Sequence, residues 1–301
     1  MITASRTASS LLAVLILGMV QATETLALSI TQTSNTATLG TALGGTNLTI
    51  NSVTINNGAA SQFGTYTGFT SGPVTIGDGI VLSTGQVVQT TPGFNNGVQG
   101  SGTTPSTDTG QSGTAAFDNY GFGNIENFTD SNDVASFTVA FTLSAPSQVG
   151  FDFVFGSVEY PQFTSAYTDA FLAFLDGSAP ANQIVFDSAN NPVQVGMSFA
   201  GALTTADTNT AFADPHGLLR LQTFSPNELS AGSHTLNFQI GDVNDHILDS
   251  AVFISNFRAG TGTGGTNPVP IPEPMSLLLL ATGLTGLGLA RRRISGFGIT
   301  K

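Results

Sequence analysis

Asp242, Asp245 and Asp249 fall within the eight residues DVNDHILD, with Asn244 between the first two. Carboxylate and amide oxygens gathered in a short loop suit a hard cation, and outside a cell that cation is Ca²⁺. Asp242 and Asn244 point to the same side if the backbone stays extended. Glu159 and Asp169, which flank YPQFTSAYT, add ligands if their loop lies nearby. The spacing is not that of an EF-hand, which needs D-x-[DN]-x-[DN]-G. Asp133, in a cluster with Asp130 and Asn132, is a weaker candidate. A local reading competes with the calcium reading, because Asp and Asn in turns bond to their own backbone. The sequence leaves both open.

Other chemistries find less support. Glu159 and Asp169 form an acid pair for glycoside hydrolysis only if they stand about 5–10 Å apart. The three histidines, His216, His234 and His246, form no H-E-x-x-H, and no G-x-S-x-G occurs. A lone His246 in an acidic loop is expected to be solvated. The chain is therefore read as a non-enzyme. Sugar binding leans on flat aromatic faces, yet there is no tryptophan and there are four tyrosines. The phenylalanines alternate, as in Phe151, Phe153 and Phe155, which places them on one face as core. Tyr120, Tyr160 and Tyr167 remain as candidate exposed contacts.

Charge excludes a further class. Between Leu28 and Ile271 the basic side chains are Arg220 and Arg258, against 17 Asp and Glu, all of the chain's 19 except Glu24 and Glu273. Nucleic-acid binding needs a basic footprint, and this body has none. Such an acidic surface calls for divalent counter-ions. The absence of cysteine removes disulfides and thiolate metal sites.

The elements that must position these residues are strands. LTINSVTI (48–55), GIVLSTGQVV (79–88), ASFTVAFTL (135–143), QVGFDFVFGSVEY (148–160), HTLNFQI (234–240) and DSAVFISNF (249–257) alternate in period two between turn residues. DAFLAFLDG (169–177) reads as a helical turn or as a strand buried on both faces. No helical periodicity runs for a dozen residues within the body. The predicted fold is an all-β, antiparallel β-sandwich, jelly-roll-like. The stretch 93–113 has almost no large apolar side chain and is expected to be a long surface loop or mobile insert. It adds no strand.

The termini have their own logic. Residues 1–27 carry Arg6, an apolar run from Leu11 to Val20 and small residues suited to cleavage, as in a secretory signal peptide forming an N-terminal signal helix. Residues 260–271 are a Gly/Thr/Pro linker. Met275 to Ala290 is apolar, about 24 Å long if helical, short for a bilayer core of about 30 Å. Arg291, Arg292 and Arg293 follow and would hold that end in the cytoplasm. The expected layout is an exported body, a short C-terminal transmembrane helix, and a cytoplasmic tail over 294–301.

Pro272, Glu273 and Pro274, the apolar run and Arg291–Arg293 together resemble the PEP-CTERM sorting signal, over residues 272–293. That resemblance implies recognition and processing by an exosortase, with delivery of the body to the cell surface or an exopolysaccharide matrix. The tail ISGFGITK (294–301) extends past the point where such signals usually stop. In the body, GDGIVLSTG (77–85), DSNDVASFTVAF (130–141), FDFVFGSVEYPQFTSAYTDAFLAFLDG (151–177) and IGDVNDHILDSAVFISNF (240–257) resemble the choice-of-anchor L domain over residues 77–257. The family's Ser-Glu-Glu-Tyr element is here Ser157-Val158-Glu159-Tyr160. The expectation is an exported structural protein of the surface or biofilm matrix. The alternative is a calcium-dependent carbohydrate-binding or adhesive module, and a glycoside hydrolase stands behind both.

Overall fold

The alternating runs pair into two antiparallel sheets in the computed structural model of the chain, which describes residues 28–69, 74–89, 97–100, 103–165, 167–196 and 208–262. The predicted signal peptide, most of the linker, the sorting signal and the cytoplasmic tail lie outside the described residues. In chain order the elements are β1 (Ser29–Gln32), α1 (Thr36–Leu43), β2 (Thr49–Asn57), β3 (Phe63–Thr67), β4 (Gly79–Ser83), α2 (Ala115–Asn124), β5 (Ser131–Leu143), β6 (Val149–Ser157), β7 (Ala170–Leu175), β8 (Val193–Gln194), β9 (Gly217–Phe224), β10 (Gly232–Val243) and β11 (Ser250–Ala259). One sheet has the order β1-β3-β4-β11-β6-β9, the other β2-β5-β10-β7-β8.

Phenylalanines join the layers. Phe151, Phe153 and Phe155 all face the core from β6, as their spacing predicts. Phe238 on β10 stacks on Phe137 of β5 with ring centroids 5.0 Å apart, and meets Phe151 of the opposite sheet edge-on, also at 5.0 Å. Phe153 packs on Phe171 of β7 at 5.1 Å, again across the layers. Offset and edge-to-face ring pairs each add about 0.5–1.5 kcal/mol to the burial itself.

The outer faces are covered too. The ambiguous run 169–177 forms strand β7, buried on both sides. Phe171, Ala173 and Leu175 enter the sandwich core. Ala170, Leu172 and Phe174 face outward, into a second cluster with Phe117, Tyr120 and Ile125 from α2 and its C-terminal end. A third cluster, including Tyr66, Phe69, Val154, Phe212 and Phe253, covers the six-stranded sheet. This double burial is why several strands read as near-continuous apolar runs.

Two helices escaped the sequence reading because they are short. In α1, of eight residues, the Asn35 side chain accepts the Thr38 N–H at 3.0 Å, and Leu39 and Leu43 are buried. In α2, of ten, the Thr114 hydroxyl accepts the Phe117 N–H at 3.2 Å. This helix packs close because β10 offers Gly241: a Cβ there would come within 3.2 Å of the Phe117 ring.

Phe238→Ala is expected to cost about 3–5 kcal/mol of unfolding free energy, the range for emptying a buried phenylalanine site. Exposed Ile247→Ala is expected to stay within about 0.5 kcal/mol. Urea unfolding of both variants checks the contrast.

Candidate functional site

Antiparallel pairing brings the acids together. Asp242 is the penultimate residue of β10, and Asp169 and Asp249 immediately precede β7 and β11. Glu159 follows the end of β6, and Asp133 is the third residue of β5. All five are fully enclosed, with no exposed surface. The two sheets meet here: the Ser250 hydroxyl of β11 donates to Asp169 Oδ2 at 2.7 Å, across the layers. Buried Gln62 makes a second tie, donating to the carbonyls of Ser83, Thr84 and Asp133.

A β-bulge aims the side chains. Ile240 pairs with Ala135, but Asp242 pairs with Asn132, so β5 carries one extra residue. Asp133 sits in that bulge with φ of 47°, a left-handed conformation that Asp tolerates better than most residues.

The acids divide by their partners. Asp133 Oδ1 accepts from the Thr109 hydroxyl at 2.6 Å and from the N–H groups of Gln111 and Thr109 at 3.0 and 3.2 Å. Its Oδ2 faces His246 Nδ1 at 3.2 Å. Asp249 Oδ1 accepts the Thr107 N–H at 2.8 Å. Asp169 is satisfied by Ser250 and by the Val243 N–H at 3.1 Å. By contrast, both carboxylate oxygens of Glu159, both of Asp242, and Oδ2 of Asp249 have no hydrogen-bond partner. Gly85 packs against the Asp249 carboxylate so closely that any Cβ would overlap it.

Burial pushes Glu159, Asp169, Asp242 and Asp249 upward in pKa. For Glu159 the desolvation is reinforced by the charges of Asp169 and Asp245. Asp242 is raised by burial and then by Asp169. Asp169 is raised by burial, with Ser250 and Val243 partly offsetting it. Asp249 reaches about 7, again through burial, with the Thr107 N–H opposing. Half-buried Asp245 is also raised by burial, while the Ile247 N–H opposes.

The structure therefore gathers Glu159, Asp169, Asp242 and Asp249 at one end, with Asp245 felt by Glu159 and Asp169. Asn244 goes elsewhere. Its φ of 73° takes the chain out of the extended conformation, so it does not side with Asp242. Its Oδ1 accepts from the N–H and hydroxyl of Thr129, both at 2.8 Å, and its amide donates to the Asn127 carbonyl. Asp245 Oδ1 closes a turn on the Ile247 N–H, as the local reading expected.

Of the stretch 93–113, the part from Thr103 is the expected surface loop, tied down by Asp133 and Asp249. Further expectations are corrected. His246 is not a lone solvated ring: Asp133 and Asp108 lie 3.2 and 3.8 Å from its Nδ1. Among the described residues, Asp108, Asp133 and His246 are the group of three whose ligand-type atoms already lie within 4.8 Å of one another. Tyr120 is buried at 3% exposure against Phe174 rather than offered to solvent, and Tyr160 and Tyr167 are half-buried. That leaves no stacking platform built from these three rings. Glu159 and Asp169 are enclosed, whereas a glycosidic acid pair must admit a sugar between its carboxyls.

The class defined by fold and site is a two-sheet, all-β body with an enclosed acidic end. The chain matches the choice-of-anchor L domain over residues 27–214 and belongs to that family. Membership implies a protein exported to the cell surface, and the family is not an enzyme family. The match begins earlier than the resemblance read from sequence and ends before β9, so Asp242 and Asp249 fall outside it. No curated protein and no solved structure matches the chain. No helix among the described residues is long and apolar enough to cross a membrane.

Because these acids hold their protons more tightly when folded, the folded state binds more protons between the unfolded carboxylate range near pH 4 and the raised folded values. Stability in chelator is then full below about pH 4 for these groups and is lost as pH rises towards 7, where Asp249 titrates. Each such group contributes a slope of about 1.4 kcal/mol per pH unit in that window. Urea midpoints in EDTA are expected to be higher at pH 5 than at pH 8; a flat profile counts against enclosed acids. Asp133→Ala, which strands the Thr109 and Gln111 donors, is expected to cost about 2–4 kcal/mol in the same assay.

Proposed function

We propose that this chain is an exported structural protein of the bacterial surface or extracellular matrix, sorted through residues 272–293 and processed by an exosortase. The family match supports the surface location. The observation that carries the sorting reading is the distance in sequence between the last described strand and the signal. The Gly260 N–H donates to the Gln148 carbonyl, and the Gly262 N–H donates to Gln148 Oε1 at 3.0 Å. Pro272 lies ten residues further on. Cleavage at Pro272-Glu273-Pro274 thus leaves every described strand and every member of the acidic cluster in the released body. A signal read and discarded by a membrane enzyme needs that separation.

A structural role fits the body better than catalysis. Its rings pack the core, its acids are closed to a polymeric substrate, and its charge leaves polysaccharide or protein neighbours as partners rather than nucleic acid.

Deleting 272–301 is expected to release the body into the medium with its melting temperature changed by less than about 2 °C, since every described strand is retained. Immunoblots of cells and medium, with a melting curve of the released protein, check this. Unchanged surface retention of the truncated chain would overturn the sorting reading.

A further inference from the structure

We propose that Glu159, Asp169 and Asp242 bind a divalent cation, calcium by ligand type, which staples the two sheets together at the acidic end. The inference does not depend on the sorting reading.

The argument begins with four orphaned oxygens. Glu159 and Asp242 are wholly buried, and none of their four oxygens takes a well-formed hydrogen bond; the Asp169 backbone beside Glu159 and the Thr84 hydroxyl beside Asp242 give only partial relief. A turn-forming Asp or Glu would spend its oxygens on nearby N–H groups, as Asp133 and Asp249 do in part. These two do not. Leaving such atoms unpaired costs free energy that native proteins seldom tolerate without a partner.

A proton is a poor partner. A proton shared between Asp169 and Asp242 relieves one oxygen of that pair, but it leaves the second Asp242 oxygen and the Glu159 carboxyl without a partner of their own. An internal cation is not at hand either. The body has no lysine; Arg258 pairs with Asp152 at 3.0 Å, and Arg220 lies on β9 within reach of the same Asp152 charge. His234 bonds to Asp176 and His246 faces Asp133 and Asp108. The compensating charge must come from outside the chain.

The chemistry of the donors selects the ion. All are hard oxygens: three carboxylates, with the Ser250 and Thr84 hydroxyls beside them. Asp245 stands half-exposed, close enough for its charge to act on Glu159 and Asp169, and supplies negative potential at the rim. Oxygen-only, carboxylate-rich shells suit Ca²⁺, which accepts irregular and flexible coordination, better than Mg²⁺. The three acids are not yet within one coordination sphere; an ion seated between them draws them inward. Glu159 follows β6 of one sheet, while Asp169 directly precedes β7 and Asp242 lies in β10 of the other. The ion therefore joins the layers, in a body without cysteine for a disulfide.

The Asp108, Asp133 and His246 group is the rival location. Its buried member takes three donors on Oδ1 and faces His246 with Oδ2, whereas Asp169 takes one donor on each oxygen and keeps lone pairs for an ion it would share with Glu159 and Asp242.

The test uses the purified full chain after EGTA treatment, with calorimetric CaCl₂ titration and melting curves. Extracellular calcium modules bind at about 10⁻⁴–10⁻³ M, so about 10 mM Ca²⁺ gives a ten- to hundredfold excess. The expected rise in Tm is about 3–10 °C, with a smaller one for Mg²⁺. E159Q and D242N keep side-chain size and remove like-charge repulsion. They are expected to fold, to melt in EGTA no lower than the parent chain, and to lose the calcium increment. D108N is expected to keep it. Absence of both calcium heat and a Tm shift in the parent chain overturns the proposal. So does a full response retained in E159Q and D242N, or a response lost only in D108N. Calorimetry on the parent chain decides the matter even if a variant fails to fold.

Discussion

Five carboxylates are held out of water where the two sheets meet, and of the body's two arginines Arg258 is paired with Asp152, whose charge also acts on Arg220. Much of this end of the molecule is arranged around that load. The bulge in β5 turns Asp133 inward. Ser250 crosses between the layers to bond Asp169, and Gln62 joins the Ser83 and Thr84 carbonyls to that of Asp133. Gly85 is bare because the Asp249 carboxylate occupies the space of a side chain. Buried charge costs several kcal/mol per ion unless paired. The core of stacked phenylalanines, rather than this end, must supply the stability that offsets it.

The same load explains how a segment without apolar side chains becomes ordered. Residues 103–113 cannot hold themselves down by burial. They are fixed through the N–H groups of Thr107, Thr109 and Gln111, which converge on Asp249 and Asp133. Backbone exchanges complete the seam: the Asp249 N–H donates to the Pro105 carbonyl and the Asp133 N–H to the Gln111 carbonyl. The acids and the loop satisfy each other, so neither can be understood as a separate feature.

The layers were legible in the sequence because period-two alternation is a direct imprint of the pleat. Phe151, Phe153 and Phe155 declared their common face before any coordinates. The run at 169–177 resisted assignment, since a strand covered on both sides loses its alternation, and only the position of α2 over Leu172 and Phe174 resolves it. The two helices were invisible for want of length: eight and ten residues give a periodic pattern too little room. Of the site, the acids on strand ends were found by type and proximity. Asn244 was misplaced because its left-handed φ cannot be read from DVND, and the same holds for Asp133, whose bulge depends on a partner strand a hundred residues away. His246 and Tyr120 went astray for a related reason. Their surroundings come from distant segments, which local composition does not describe.

Where the family match ends sharpens the interpretation of the acidic end. Residues 27–214 contain Asp133, Glu159 and Asp169, yet β10 and β11 come later and lie within the two sheets rather than at their edges. Without β10, strands β5 and β7 have no common neighbour; without β11, β4 and β6 part in the same way. Asp242 arrives with the first of these strands and Asp249 directly before the second. The acids of the matched region are therefore enclosed only when the last two strands insert. An unfolded chain exposes them to water and pays nothing for their charge, whereas the inserted strands desolvate them together. Charge compensation and closure of the sandwich are thus one event, and whatever neutralises the cluster must be acquired as β10 and β11 take their places.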